Sequence, residues 1–225
     1  MALILNIETA TTMCSVSLGK DGQLIALKEL NGDYTHAENL TLFIEDVVQQ
    51  AGIQLKDIDA VAVSKGPGSY TGLRIGVSTA KGLCYSLEKP LIAINTLEHL
   101  SRSVSVKEGA LVCPMIDARR MEVYCAVYDH SGNEILPTAA EIIDENSFSA
   151  LLNEHKIFFL GDGAAKCKET FSSQVNAVFV DGIFPSAKEM ISLSEKAYQT
   201  CKFEDVAYFE PFYLKDFVAG KKKEA

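Results

Sequence analysis

Residues 3–30, Leu3-Ile4-Leu5-Asn6-Ile7-Glu8-Thr9-Ala10-Thr11-Thr12-Met13-Cys14-Ser15-Val16-Ser17-Leu18-Gly19-Lys20-Asp21-Gly22-Gln23-Leu24-Ile25-Ala26-Leu27-Lys28-Glu29-Leu30, set the fold. Leu3 to Glu8 and Met13 to Leu18 are apolar runs of strand length. Asp21-Gly22 is a hairpin turn signal, and Gln23 to Leu30 reads as a third strand. Apolar residues at helical spacing then predict a helix from Ala37 to Ala51, burying Leu40, Phe43, Ile44, Val47, Val48 and Ala51. A strand over Asp59 to Ser64, a Gly-rich turn, a helix from Thr71 to Leu87 and a strand over Leu91 to Asn95 complete the block.

The same order recurs downstream. Leu111 to Asp117, Glu122 to Tyr128 and Glu134 to Ile142 read as strands, with a Ser131-Gly132 turn before the last. A helix near Glu145 to His155, a strand over Ile157 to Leu160, Gly161-Asp162-Gly163 and a short helix follow. A strand over Val178 to Val180 and a helix near Ala187 to Cys201 finish the block. Asn6 corresponds to Asp117 and Gly22 to Gly132, so the chain is built twice. Three antiparallel strands followed by parallel strands alternating with helices imply an α/β protein of two mixed-sheet lobes. We expect a first lobe over residues 1–104, a packed hinge near Ser101 to Gly109 and a second lobe over 105–204. The tail 205–225 should return to the first lobe, because the aromatics of Glu210-Pro211-Phe212-Tyr213-Leu214-Lys215-Asp216-Phe217 need a surface.

A duplicated fold of this kind would hold a nucleotide in the cleft, with phosphates at the strand-end turns. The candidate cleft residues are Asn6 and Thr9 in the first turn and Asp117, Arg119, Gly161 and Gly163 in the second. Asn6 stands where an Asp would serve Mg²⁺, and an amide is the weaker ligand for a hard cation. Arg119 stands where a glycine would let backbone approach a phosphate, although it could still pair with an anion. The cleft is therefore expected to be impaired for ATP chemistry. No His pair at i, i+4, no His-Glu-x-x-His and no Gly-x-Ser-x-Gly occurs, so no metal site and no catalytic residue are expected.

Gly66-Pro67-Gly68-Ser69-Tyr70-Thr71-Gly72-Leu73-Arg74-Ile75-Gly76 is the most distinctive stretch. Thr71 takes the third glycine site of a dinucleotide fingerprint and Pro67 removes a backbone donor, and there is no Gly-Lys-Ser/Thr. A tight turn with Ser69 or Thr71 as helix cap is the other reading of the same residues. Within the helix, Gly72, Gly76, Ala80 and Cys84 form a small-residue stripe that admits a closely packed neighbour, in this chain or another. Leu73, Val77, Ala80, Cys84 and Leu87 form a second stripe toward the sheet. Leu42 points away from the core of the preceding helix, among Glu38, Glu45, Asp46 and Gln49. These features define an expected docking surface of Glu38, Leu42, Glu45, Gly72, Gly76, Thr79, Ala80 and Leu83. Its glycines are predicted to face a partner helix while the monomer folds without them.

Lys and Arg number 21 against 30 Asp and Glu, a net charge of −9, which disfavours stand-alone binding of nucleic acid. With 48% hydrophobic residues the chain supports a globular core; disorder, collagen and coiled coil are excluded. No basic leader, no run of membrane-spanning length and six scattered cysteines without a Cys-x-x-Cys lead us to expect a cytoplasmic protein.

The segments ILNIETATTMCSVSL, GPGSYTGLRIGVSTAKGL, DARRMEVY, GDGA and PFYLKDF resemble the TsaB (YeaZ) family, in order and over nearly the whole chain. The resemblance implies the duplicated actin-like ATPase fold of sugar kinases and Hsp70. It also implies a non-catalytic subunit for tRNA threonylcarbamoyladenosine synthesis that docks on the catalytic TsaD subunit. A TsaE-like ATPase would be a further partner, tRNA would be met only through the complex, and the isolated chain would pair with itself. ATP and Mg²⁺ would be held only with partners, and no membrane is involved. The older protease label of the family finds no support in these residues. Asn6 departs from the Asp common in the family. The competing reading is an ATP-dependent small-molecule kinase of the same fold, which would want Asp at position 6 and glycines after Asp117.

Overall fold

Two five-stranded mixed sheets with the same topology organise the chain in the computed structural model, which describes residues 2–32 and 36–215. The first sheet has the order β3-β2-β1-β4-β5, from β1 (Leu3–Glu8), β2 (Met13–Lys20), β3 (Gln23–Asn31), β4 (Ala60–Gly66) and β5 (Leu91–Asn95). β1, β2 and β3 pair antiparallel, and β4 and β5 run parallel to β1. The second sheet, order β10-β9-β6-β7-β8, repeats this with β6 (Leu111–Asp117), β7 (Glu122–Asp129), β8 (Glu134–Ile142), β9 (Ile157–Leu160) and β10 (Ala177–Val180). This is the duplicated actin-like fold.

The helices are α1 (His36–Gln50), α2 (Tyr70–Leu87), α3 (Thr96–Ser101), α4 (Ser149–Glu154) and α5 (Ala187–Gln199). α1 and α2 cover one face of the first sheet, where Leu40, Phe43, Val47, Val77 and Ala80 meet Leu5, Ile7, Val16, Val61 and Val63. Ser69 caps α2 by accepting the Gly72 N–H, so of the two readings of the Gly-rich turn the capping one describes Ser69. α4 is shorter than the expected Glu145 to His155, because Asp144 accepts the Asn146 N–H and the Ser147 hydroxyl in a turn and Phe148 is left-handed. The helix expected after Gly163 is a 3-10 turn over Ala165–Cys167.

The lobe boundary differs from the expected one in a physically informative way. α5, assigned by sequence to the second lobe, packs on the first sheet: Ala187, Met190, Leu193 and Ala197 lie against Ala2, Ile4, Ala60, Ala62, Ile92 and Ile94. Conversely α3, which follows the last strand of the first sheet, sends Leu97 and Leu100 onto Val112, Ile116, Ala126 and Leu160 of the second. Each unit thus lends its last helix to the other sheet. Burial of these apolar faces across the junction holds the two lobes together.

The tail follows the first lobe. Glu204 bridges Leu91, Lys81 Nζ donates to the Ala207 and Phe209 carbonyls, and the Phe212 N–H donates to Lys65 O. Asp216 and Phe217, and the rest of the expected tail contact, lie outside the described residues. Among the described residues no helix is long and apolar enough to cross a membrane.

Candidate functional site

The residues expected to line a cleft sit at the turns that leave β1 and β6. In the first, Glu8 is fully buried; its Oε1 accepts the Ala10 N–H and its Oε2 accepts from His99 Nε2 at 2.6 Å. The Thr9 N–H donates to Ser64 Oγ at 3.4 Å, and Thr9 Oγ1 donates to the Gly72 carbonyl at 2.8 Å. Asn6 is buried with Nδ2 on Ile4 O, and its Oδ1 has no partner among the described residues.

The second turn is built alike but lies in solvent. Asp117 Oδ1 accepts the Arg119 N–H at 2.8 Å and pairs with Lys166, while the Asp117 N–H donates to Asp162 Oδ1 at 3.2 Å. Arg119 and Arg120 are left-handed, with φ of 73° and 51°, an uncommon region for residues other than Gly, Asn and Asp. Gly161 has φ +100°, and a Cβ there would sit 2.2 Å from Met115 O. A Cβ at Gly163 would sit 2.8 Å from Ile116 C. Burial raises the Asp162 carboxyl above its ordinary value, with the Asp117 charge adding to it and backbone N–H donors pulling the other way.

A bound nucleotide needs backbone donors at these turns for its phosphates. Here the Ala10 and Arg119 amides are each taken by a carboxylate two residues earlier, and Thr9 by Ser64 and Gly72. The residues present therefore do not fit a Mg-nucleotide held in the usual way of this fold. The expected cleft residues lie in two separate turns, each with its amides satisfied from within.

The glycine stripe of α2 requires a correction. A Cβ at Gly72 would lie 2.1 Å from Thr9 O, and one at Gly76 would lie 2.2 Å from Thr9 Oγ1. Ala80 is fully buried in the core. Gly72 and Gly76 thus admit the chain's own β1–β2 turn and Ala80 faces the core, so no partner helix can reach them. Of the expected docking residues, Glu38, Leu42 and Glu45 are exposed on α1, and Thr79 and Leu83 are half-buried on α2. The outer face of α2 holds two residues that the sequence reading passed over. Tyr85 is 83% exposed, and Gly82 has open space where its Cβ would be. Both fall off the two apolar stripes, and that was the available signal. Leu42 is 55% exposed.

The sequence family described as TsaD, tRNA N6-adenosine threonylcarbamoyltransferase, matches residues 32–223. The tRNA threonylcarbamoyladenosine biosynthesis protein TsaB of Escherichia coli (strain K12) is 35% identical over 229 residues, 97% of this chain and 97% of that one. The structure of YeaZ from Pseudomonas aeruginosa is similar with a TM-score of 0.81 and 27% identity, covering 95% of this chain and 100% of that one. An activator of 2-hydroxyisocaproyl-CoA dehydratase from Clostridium difficile, solved with bound ADPNP, shares the fold at a TM-score of 0.50 and 10% identity. It covers 89% of this chain and 95% of its own.

Proposed function

The chain belongs to the TsaB (YeaZ) family of tRNA threonylcarbamoyladenosine biosynthesis proteins, and we propose that it serves there as a non-catalytic subunit docked on a TsaD-like threonylcarbamoyltransferase. The observation that carries this reading is the closure of both cleft turns on their own carboxylates, Glu8 on Ala10 and Asp117 on Arg119. A cleft filled from within supports a role as a surface for other proteins, and it argues against the small-molecule kinase of the same fold.

The docking surface is the outer face of α1 and α2, with Leu42 and Tyr85 as apolar anchors and Glu38, Glu45, Thr79, Gly82 and Leu83 around them. A large aromatic and a leucine standing out of an otherwise polar face are the residues from which a partner gains most by burial. Gly82 costs helix stability without any internal packing reason, and an approaching helix supplies one. A TsaE-like ATPase joins the assembly, and tRNA is engaged in the complex. Without its partner this face pairs two copies of the chain in the cytoplasm.

Reconstitution tests the reading. Incorporation of threonylcarbamoyl into tRNA should require both the transferase and this chain, whereas the chain alone should show no ATP turnover and no peptide hydrolysis. Mg-dependent ATP turnover by the chain alone that Asn6→Ala abolishes would overturn it.

A further inference from the structure

Where the tail leaves the first lobe, cationic and aromatic side chains gather beside it. The Arg74 guanidinium lies over the Tyr70 ring at 5.3 Å and donates to its hydroxyl at 3.1 Å. The Tyr70 and Tyr213 rings meet at a tilt of 37° with centroids 5.1 Å apart. Two residues further on, Lys215 Nζ pairs with Glu122 Oε2 of β7, so the tail crosses from the first lobe to the second. Glu122 donates its N–H to the Arg119 carbonyl, which sets Arg119 and Arg120 on the same turn. Tyr124 lies within this group: burial pushes its phenol up, Lys215 and Arg119 pull it down, and Glu122 adds to the rise.

The charge balance of this line is unlike that of the rest of the chain. Carboxylates outnumber cations by 30 to 21 overall. Yet among the described residues no carboxylate pairs with Arg74, Arg119 or Arg120, all of them exposed. The acids beside the line are Glu122, paired with Lys215, Glu210 near Tyr213, and Asp117, which pairs with Lys166 and accepts the Arg119 N–H. Tyr213 keeps 38% of its surface in solvent and Phe212 39%. Lys221, Lys222 and Lys223 follow in the sequence, outside the described residues.

An exposed aromatic side chain, Tyr213, beside exposed arginines that pair with no carboxylate, Arg74, Arg119 and Arg120, matches the chemistry of an unpaired nucleotide, which offers a stacking face and a phosphate. An acidic peptide would use the cations and leave the rings without a role. We propose that Arg74, Tyr213, Arg119 and Arg120 form a track for a single-stranded RNA segment along the tail where it crosses between the lobes, stacking a base on Tyr213 and holding phosphates with the arginines. The inference deepens the tRNA-modification reading and rests on it for the identity of the RNA as a tRNA loop.

The test is fluorescence anisotropy of the full chain at low salt with a labelled RNA stem-loop, against a fully paired duplex of the same length. The stem-loop should bind more tightly. Tyr213→Ala should weaken it about tenfold, and Tyr213→Phe should retain it. Arg74→Gln and Arg119→Gln should each lower the slope of log affinity against log salt by about 0.7. Melting temperature should be unchanged in all four variants, and capture of the transferase, which uses the outer face of α1 and α2, should be unchanged in the Tyr213 and Arg119 variants. Equal binding of loop and duplex, equal binding by Tyr213→Ala at wild-type fold stability, or better competition by polyglutamate than by the stem-loop would overturn the proposal. Failure to capture the transferase with wild-type chain would instead overturn the docking reading, and the RNA measurement stands apart from it.

Discussion

The two lobes share strand order and turn design, yet they cover the outer faces of their sheets differently. In the first, helices of 15 and 18 residues, α1 and α2, lie on the sheet. In the second, the corresponding positions hold the 6-residue α4 and a 3-residue 3-10 turn. Four phenylalanines compensate there. Phe148, Phe159, Phe171 and Phe179 form a cluster with centroid separations of 5.2 to 6.3 Å, filling with ring volume the space that helices fill in the first lobe. The fold can therefore be completed without a long helix pair. What the first lobe gains by keeping one is an outer surface, and Leu42, Gly82 and Tyr85 stand on it.

The sharpest break of this comparison comes at the glycines of α2. Gly76→Leu should leave the isolated chain unfolded, because even a Cβ would lie 2.2 Å from Thr9 Oγ1; a cooperative urea transition like that of the wild type would refute the packing of α2 on the β1–β2 turn. Phe159→Ala, at a fully buried ring in the second lobe, should cost about 3–5 kcal/mol by denaturant midpoint. A loss under about 1 kcal/mol would mean that the aromatic cluster does not replace the missing helices. Gly82→Ala, on the same helix as Gly76 but in open space, should stabilise the monomer by about 1 kcal/mol in the same assay. No gain would show that the outer face is already constrained.

The smallest effect concerns pH and the second turn. Burial holds the folded Asp162 carboxyl above its unfolded value of 3.8, so its contribution to stability is complete below that value and is lost as pH rises through the folded one. Asp162→Asn keeps an oxygen for the Asp117 N–H and does not titrate. Its stability relative to wild type should therefore rise with pH through the carboxylate range and then level off. A difference that stays flat with pH would place Asp162 in a solvated turn.

The order of strands and helices was legible because each element carries its own periodicity and the second block repeats the first. Two kinds of information were not. The direction of Gly72 and Gly76 depends on Thr9, far away in sequence, whose turn rises over the helix; helical spacing shows that something comes close without showing what. The exchange of α3 and α5 between lobes is likewise tertiary. α3 was not read at all, because its 6 residues span less than two turns of periodicity and its Asn95 cap follows directly on a strand. Of the candidate site, the two cleft turns were legible as positions. Their closure was not, because it depends on Glu8 and Asp117 bending back onto amides two residues on. The group from Arg74 to Lys215 joins residues of α2 to the tail and could emerge only once the tail was placed.

The central claim is that the retained helix pair is a docking surface. The direct measurement is the affinity of the transferase for wild-type chain, Leu42→Glu and Tyr85→Glu by titration calorimetry, beside the melting temperature of each. Each substitution sits in solvent in the monomer and places a charge where the account puts a buried contact. The account predicts unchanged melting temperatures and affinity lowered at least about thirtyfold, on the order of 2 kcal/mol. Wild-type affinity in both variants would contradict it.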